Sequence, residues 1–250
     1  MTSLHSRPIH HGRTGRPRAA LAGVVALALP LLACATAPAA TEAVAPGARG
    51  LPLTSSESLT LVGARAEPTS HSGRSGIQLQ PLDQVGPDDV MLAIVQGPEF
   101  RDGEIDVEVS GAPHPGAPPD MRGFIGVSFH VSPDGSRSED VYLRPDNGRA
   151  DDQLRRNHSV QYQAIPGWGW KRLRDETPGV YESYADLQPG VWTRMRVKVS
   201  GTRAELYVNG AEQPTLIVRD LKHGAIGGGI ALWAHRTTVA YFRNLVVTPR

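Results

Sequence analysis

Apolar and polar side chains alternate with a period of two in short segments along most of this chain, and that pattern restricts what it can fold into. In 123–131, Ile125, Val127, Phe129 and Val131 alternate with Gly126, Ser128 and His130. In 104–110, Ile105, Val107 and Val109 alternate with Glu104, Asp106 and Glu108, and in 191–200, Thr193, Met195, Val197 and Val199 alternate with Trp192, Arg194, Arg196 and Lys198. Ala204, Leu206 and Val208 do the same against Arg203, Glu205 and Tyr207. Successive side chains of a strand point to opposite faces, so these segments predict strands with one face in a core and one toward water. Shorter strand candidates are 76–79, 90–95, 139–144, 159–163, 215–219, 229–234 and 238–247. No stretch of ten or more residues shows a helical period, and 27 Gly and 21 Pro supply turns between many short elements. The expectation is an all-β fold over residues 57–250, an antiparallel jelly-roll β-sandwich; about 190 residues is large for an immunoglobulin-type module.

The chain ahead of that domain has a different character. Residues 1–18 carry Arg13, Arg16 and Arg18 and no acid, and an apolar run from Ala19 to Ala33 follows, interrupted by Pro30. The run is short for a membrane span of about 20 residues, and a basic lead before a short apolar run describes a secretory signal peptide over 1–33. Leu31-Leu32-Ala33-Cys34 resembles the bacterial lipobox. That resemblance implies cleavage before Cys34, lipidation of its thiol and an extracytoplasmic protein anchored to a membrane of a bacterial cell envelope. Residues 34–56 are rich in Ala, Pro, Thr and Gly, and read as a flexible tether.

With 26 basic against 25 acidic side chains, the chain has no excess charge with which to neutralise a phosphate backbone, so it is not expected to bind nucleic acid. A single cysteine excludes an internal disulfide and any zinc site built on several thiolates.

Two stretches carry candidate chemistry. Strand alternation puts Glu104, Asp106 and Glu108 in a row on one face. A retaining glycosidase needs a nucleophilic carboxylate and a second carboxyl about 5 Å away as acid and base. The spacing resembles the E-x-D-x-E signature of laminarinase- and agarase-type glycosidases, which are also jelly rolls. The resemblance implies Glu104 as nucleophile, Asp106 as charge partner and Glu108 as acid/base, whereas a solvated strand face would explain the same row. The stretch 142–184 gathers Tyr142, Tyr162, Trp168, Trp170, Tyr181 and Tyr184 among arginines and carboxylates. Aromatic faces beside polar side chains suit a carbohydrate, whose rings have apolar faces and hydroxylated edges. The candidate ligand-binding residues are Ser128, His130, Tyr142, Arg144, Gln161, Trp168, Trp170 and Arg172. The alternative is that the two tryptophans plug one end of the sandwich.

No H-E-x-x-H, G-x-S-x-G or phosphate-cradling loop is present, and no cofactor is expected. Asp146, Asn147, Asp151 and Asp152 crowd one loop and offer oxygen ligands for calcium, without the spacing of a calcium loop. His158, His223 and His235 stand alone in the sequence and read as structural.

Gly229-Ile230-Ala231-Leu232-Trp233-Ala234-His235, followed by Tyr241-Phe242-Arg243-Asn244-Leu245, resembles the closing strands of the concanavalin A-like lectin/glucanase superfamily. Within it the nearest resemblance is to the bacterial 3-keto-disaccharide hydrolase domains, related in shape to laminin G modules. Gly190-Val191-Trp192, Asn209-Gly210 and the pair Gly123–Phe129 and Tyr142–Pro145 add to it. The resemblance implies a sandwich that binds or hydrolyses glycans; a laminin G-like adhesive module that binds protein is the other reading, and shared fold does not choose between them.

Overall fold

The structure is a computed structural model, and it describes residues 47–83 and 90–250. The leader, Cys34 and the tether up to residue 46 lie outside the described residues. Among the described residues no helix is long and apolar enough to cross a membrane.

Among the described residues, fifteen strands form two antiparallel sheets. The first contains β1 (Arg49–Leu51), β3 (Ala64–His71), β4 (Arg74–Pro81), β6 (Gly103–Pro113), β11 (Thr193–Ser200), β12 (Arg203–Val208), β13 (Leu216–Val218) and β15 (Thr238–Pro249). Its order is β13-β12-β11-β6-β15-β4-β3, with β1 also paired to β15. The second contains β2 (Leu59–Val62), β5 (Val90–Val95), β7 (Ile125–Val131), β8 (Ser138–Leu143), β9 (Val160–Ile165), β10 (Glu182–Ser183) and β14 (Gly229–His235), in the order β10-β9-β8-β7-β14-β5-β2. The chain passes directly from β14 in one sheet to β15 in the other, and within each sheet strands distant in sequence pair, such as β6 with β15 and β7 with β14.

The core lies between the sheets. Ile105, Val107 and Val109 of β6, Met195, Val197 and Val199 of β11 and Phe242 of β15 face Ile125, Val127 and Phe129 of β7, Leu143 of β8 and Leu232 of β14, all in one buried cluster. At about 1.5–3 kcal/mol per buried aliphatic or aromatic side chain, this layer is the main support of the fold.

Three expectations change. The tether ends sooner than residue 56: β1 pairs with Leu245–Val247 of β15, and Leu53 is 2% exposed in the core. A β strand was not expected at β2 or at β3; β3 alternates only weakly and contains Pro68, which an edge strand tolerates. The one-face-wet rule holds for β6 and β11 but fails for β7, β8 and β9, which are buried along nearly their whole length. A second apolar cluster lies on the outer face of this sheet. There Leu92, Ile94, Val131, Tyr142, Ala231 and Trp233 pack together, and the turn at Gly135 sits against Leu92, Val62 and Ile94.

Two short helices lie in the connections beside the second sheet. Helix α1 (Gln153–Asn157) is capped by Asp152, which accepts from the Arg155 backbone N–H at 2.7 Å. Helix α2 (Trp170–Glu176) follows the tight Pro166–Gly169 turn after β9, and its Leu173 enters the core.

Candidate functional site

The feature that organises the outer face of the second sheet is the missing side chain of Gly126 on β7. Its cross-strand partners are Tyr142 on β8 and Trp233 on β14. With no Cβ between them, the two rings lean together and stack, centroids 4.6 Å apart at 26°. A Cβ at Gly126 would lie 2.2 Å from the Val141 carbonyl oxygen and 2.6 Å from Tyr142 Cα, so the strands approach as closely as they do because the residue is glycine.

This pair floors a cavity of about 840 Å³, within the range usual for small-ligand sites. Phe124 stands edge-on to both Tyr142 and His235, and Trp170 rises at the start of α2. The floor rings are buried, Tyr142 at 2% and Trp233 at 4% exposure, whereas Trp170 is 42% exposed. Trp170 is therefore the ring that offers its surface to a ligand.

Arg144 joins floor to wall. Its guanidinium lies 5.4 to 5.8 Å from the centroids of Tyr142, Trp170 and Phe124. It donates to the Tyr142 hydroxyl at 3.2 Å, to the His158 carbonyl at 3.2 Å and to Glu182 at 3.1 Å. Glu182 on β10 also accepts from Arg174 and lies 3.5 Å from His158 Nε2. Burial alone would raise the Glu182 pKa, but hydrogen bonding and charge from Arg174, with His158 and Arg144, outweigh it and hold the group below its ordinary value. Burial lowers the His158 pKa, and the positive charges of Arg174 and Arg144 work in the same direction against Glu182. The imidazole that lines the cavity is thus kept neutral near pH 7.

Gln163 lines the cavity too, and its Nε2 donates at 2.9 Å to Asp140 below it. Burial raises the Asp140 pKa, and nearby Ser128, Gln163 and Ser138 only partly oppose this. Ser128 Oγ and Asp140 Oδ1 nonetheless make no hydrogen bond of normal geometry.

Of the residues expected from sequence, Tyr142, Arg144, Trp170 and Arg172 line the cavity. Gln161 and Ser128 share its sheet face but are fully buried and do not line it; Gln161 donates to the Tyr162 and Tyr181 carbonyls. His130 corrects the parity argument. It sits at a β-bulge, where Phe129 pairs with Ile230 and Val131 with Gly229, and has φ 53°. The bulge turns its ring away to Phe100 and Phe129, with Nε2 2.9 Å from the Arg101 carbonyl. Trp168 and Trp170 are likewise separated. Trp168 packs on the core, under the Arg172 guanidinium at 3.7 Å, while only Trp170 faces the cavity.

The carboxylate row lies on the outer face of the other sheet and lines none of this cavity. Asp106 pairs with Arg194 at 2.8 Å, Glu108 with Arg74 at 3.0 Å and Arg243 at 3.5 Å, and Glu104 lies 3.8 Å from Lys198. The row is a set of cross-strand ion pairs, so the structure places Glu104, Asp106 and Glu108 on a charge-paired sheet face away from this cavity. The acidic loop is also engaged internally. Asp146 pairs with Arg155, Asn147 bonds His158 and Arg155, and Asp152 caps α1. Among the described residues no group of three or more His, Cys, Asp or Glu is placed to hold a metal ion.

Sequence reasoning missed Phe124, Gln163, Trp233 and Arg174, and it read His158 and His235 as structural although both line the cavity. A signal for Trp233 and His235 did exist. They share strand parity, and β14 runs beside the Gly126 that has no side chain to cover its face.

The family described as 3-keto-alpha-glucoside-1,2-lyase-like domain matches residues 69–248, from within β3 to within β15. The chain belongs to this family. The matched span contains every element that builds the cavity, so the site is part of the lyase-like domain. Among solved structures, carbohydrate-binding module CBM66 from Bacillus subtilis is similar with a TM-score of 0.52 at 12% identity, covering 76% of this chain and 95% of that one. A Bacillus subtilis protein of unknown function with a galectin-like fold is similar with a TM-score of 0.53 at 13% identity, covering 81% and 96%. These two likenesses establish the sandwich fold of the domain. No curated protein matches the chain.

Proposed function

We propose that the protein binds a saccharide in the cavity on the outer face of the second sheet. The observation that carries this is the exposed Trp170 ring standing over a floor of Tyr142, Trp233 and Arg144, with Gln163, His158 and His235 at its edge. A sugar ring stacks its C–H face on such an aromatic and spends its hydroxyls on the polar groups. Membership of a family named for a keto-glucoside lyase supports the same ligand class, as does a fold shared with a carbohydrate-binding module. The test is a glycan array on the full-length protein, with product analysis of each bound ligand. Binding that Trp170→Ala weakens about tenfold or more supports the reading; binding unaffected by that change, or retention of protein partners instead of glycans, counts against it.

A second reading, cleavage of a glycosidic bond in the same cavity, is favoured by His158. Its imidazole is kept neutral near pH 7, as a proton acceptor must be. Turnover that survives His158→Ala would remove it from that role.

The lipobox-like Leu31–Cys34 supports an extracytoplasmic protein held on a membrane by acyl chains. Fatty-acid labelling that persists in Cys34→Ala would count against the anchor.

A further inference from the structure

The walls of the cavity are unevenly charged. Arg122, Arg144, Arg155, Lys171, Arg172 and Arg174 line it, against Asp120 and Asp152. The carboxylates that partner these cations lie outside the lining. Asp146 serves both Arg155 and Arg122, the latter at 3.9 Å, and the buried Glu182 serves both Arg144 and Arg174, so two carboxylates answer four guanidiniums. Neither Asp146 nor Glu182 lines the cavity, and nor do Asp175 and Glu176, which pair with Lys171 and Arg172. Arg122 records the crowding: burial, then the charge of Arg155, disfavours its protonated form. A concave wall that presents its cations to the cavity, while the carboxylates that pair with them lie outside the lining, offers positive potential to whatever enters.

Resting on the saccharide reading above, we propose that the ligand is an acidic saccharide, one whose ring lies on Trp170 and whose anionic group, carboxylate or sulfate, meets the arginine-lined wall. Such a ligand relieves the repulsion between the guanidiniums, and a planar carboxylate matches their fork. A neutral sugar of the same ring leaves that repulsion in place.

The experiment uses the full-length protein in a non-ionic polyoxyethylene detergent, which carries no sugar to compete. Its affinities for matched neutral, uronate-bearing and sulfated oligosaccharides are measured at about 0.05 M and about 0.5 M NaCl, ionic strengths that screen exposed charge very differently. The expected result is about tenfold or stronger preference for an acidic ligand at low salt, reduced at high salt, the two acidic arms showing which group is used. The double variant R122Q/R172Q loses that preference, while Arg196→Gln on the opposite sheet changes neither the preference nor the affinity for the neutral ligand. Equal or tighter binding of the neutral ligand overturns the charge inference and leaves the saccharide site standing. Failure of every saccharide to bind overturns both. An acid preference that survives the double variant, or that disappears with Arg196→Gln, also overturns the inference, because the anion is then held elsewhere.

Discussion

Two tryptophans in the same cavity do different work because one is open and the other covered. Trp170 has no strand neighbour over its outer surface, whereas Trp233 is packed beneath Tyr142 and Phe124. Trp170→Ala is expected to weaken saccharide binding roughly tenfold, about 1.4 kcal/mol, with little change in unfolding midpoint. Trp233→Ala is expected to cost about 3–5 kcal/mol of stability, because a large buried ring leaves a cavity. Titration calorimetry and denaturant melts on both variants separate the roles; equal loss of stability would show that they are the same. At Glu104 the expected effect is small. Its ion pair with Lys198 is half-exposed, so Glu104→Gln should change stability by less than about 0.5 kcal/mol and leave binding and turnover as they were. Loss of turnover in that variant would restore the dyad. What sequence showed here was that acids share a strand face; it did not show that the next strand brings basic side chains opposite them. Asp106 meets an arginine 88 residues away, and such a partner has no local signature.

At the scale of the element, β7 shows how one residue type sets a surface. Gly126→Ala must push β8 away or displace the Tyr142–Trp233 stack, since its Cβ meets backbone rather than a flexible side-chain end. Overpacking of this kind costs about 1–3 kcal/mol, and the same change should lower ligand affinity because the floor shifts. A variant that melts and binds like the parent would mean the strands yield freely. The amino-terminal edge makes a second prediction. β1 adds to β15 and Leu53 is buried, so a chain beginning at residue 57 should lose about 2–5 kcal/mol relative to one beginning at residue 47. Comparing the two by urea unfolding decides where the domain starts. The Ala, Pro and Gly composition hid this edge, because backbone pairing needs no particular side chain.

The molecule as a whole carries its buried acids in two states, and the pH dependence of stability follows from both. Asp140 has its pKa raised above an ordinary 3.8, mainly by burial. Between that value and its folded pKa the native state holds a proton the unfolded chain has released, so stability falls as pH rises through the window. Asp140→Asn removes the proton-holding penalty and can still accept from Gln163. It should raise the melting temperature near pH 7 and lose its advantage below about pH 3.8. An Asn variant less stable than the parent at pH 7 would mean that the ionised carboxylate is stabilising there. Glu182 acts in the opposite sense. Its pKa is depressed below 4.5, so its contribution is in place above that pH and is lost as pH falls through the folded value. Acid unfolding monitored in Glu182→Gln should show a shallower loss below pH 4.5 than in the parent.

The period of two determined, without any structure, that the chain is a β-sandwich, since alternation is a local property fixed by backbone geometry. β6, β7, β11, β12 and β14 could be read directly, and so could the assignment of Tyr142 and Arg144 to one face. The tertiary structure alone decided what each face meets. Parity says that Ser128, Asp140 and Glu104 point away from the central core, but only the packed molecule buries the first two and leaves the third among surface ion pairs. It also decided that a bulge withdraws His130 and that Trp168 turns to the core while Trp170 faces the cavity. The physical reason is that covering, pairing and cavity formation depend on residues distant in sequence, whose approach is set by the long-range pairing of the sheets and leaves no trace in any one strand.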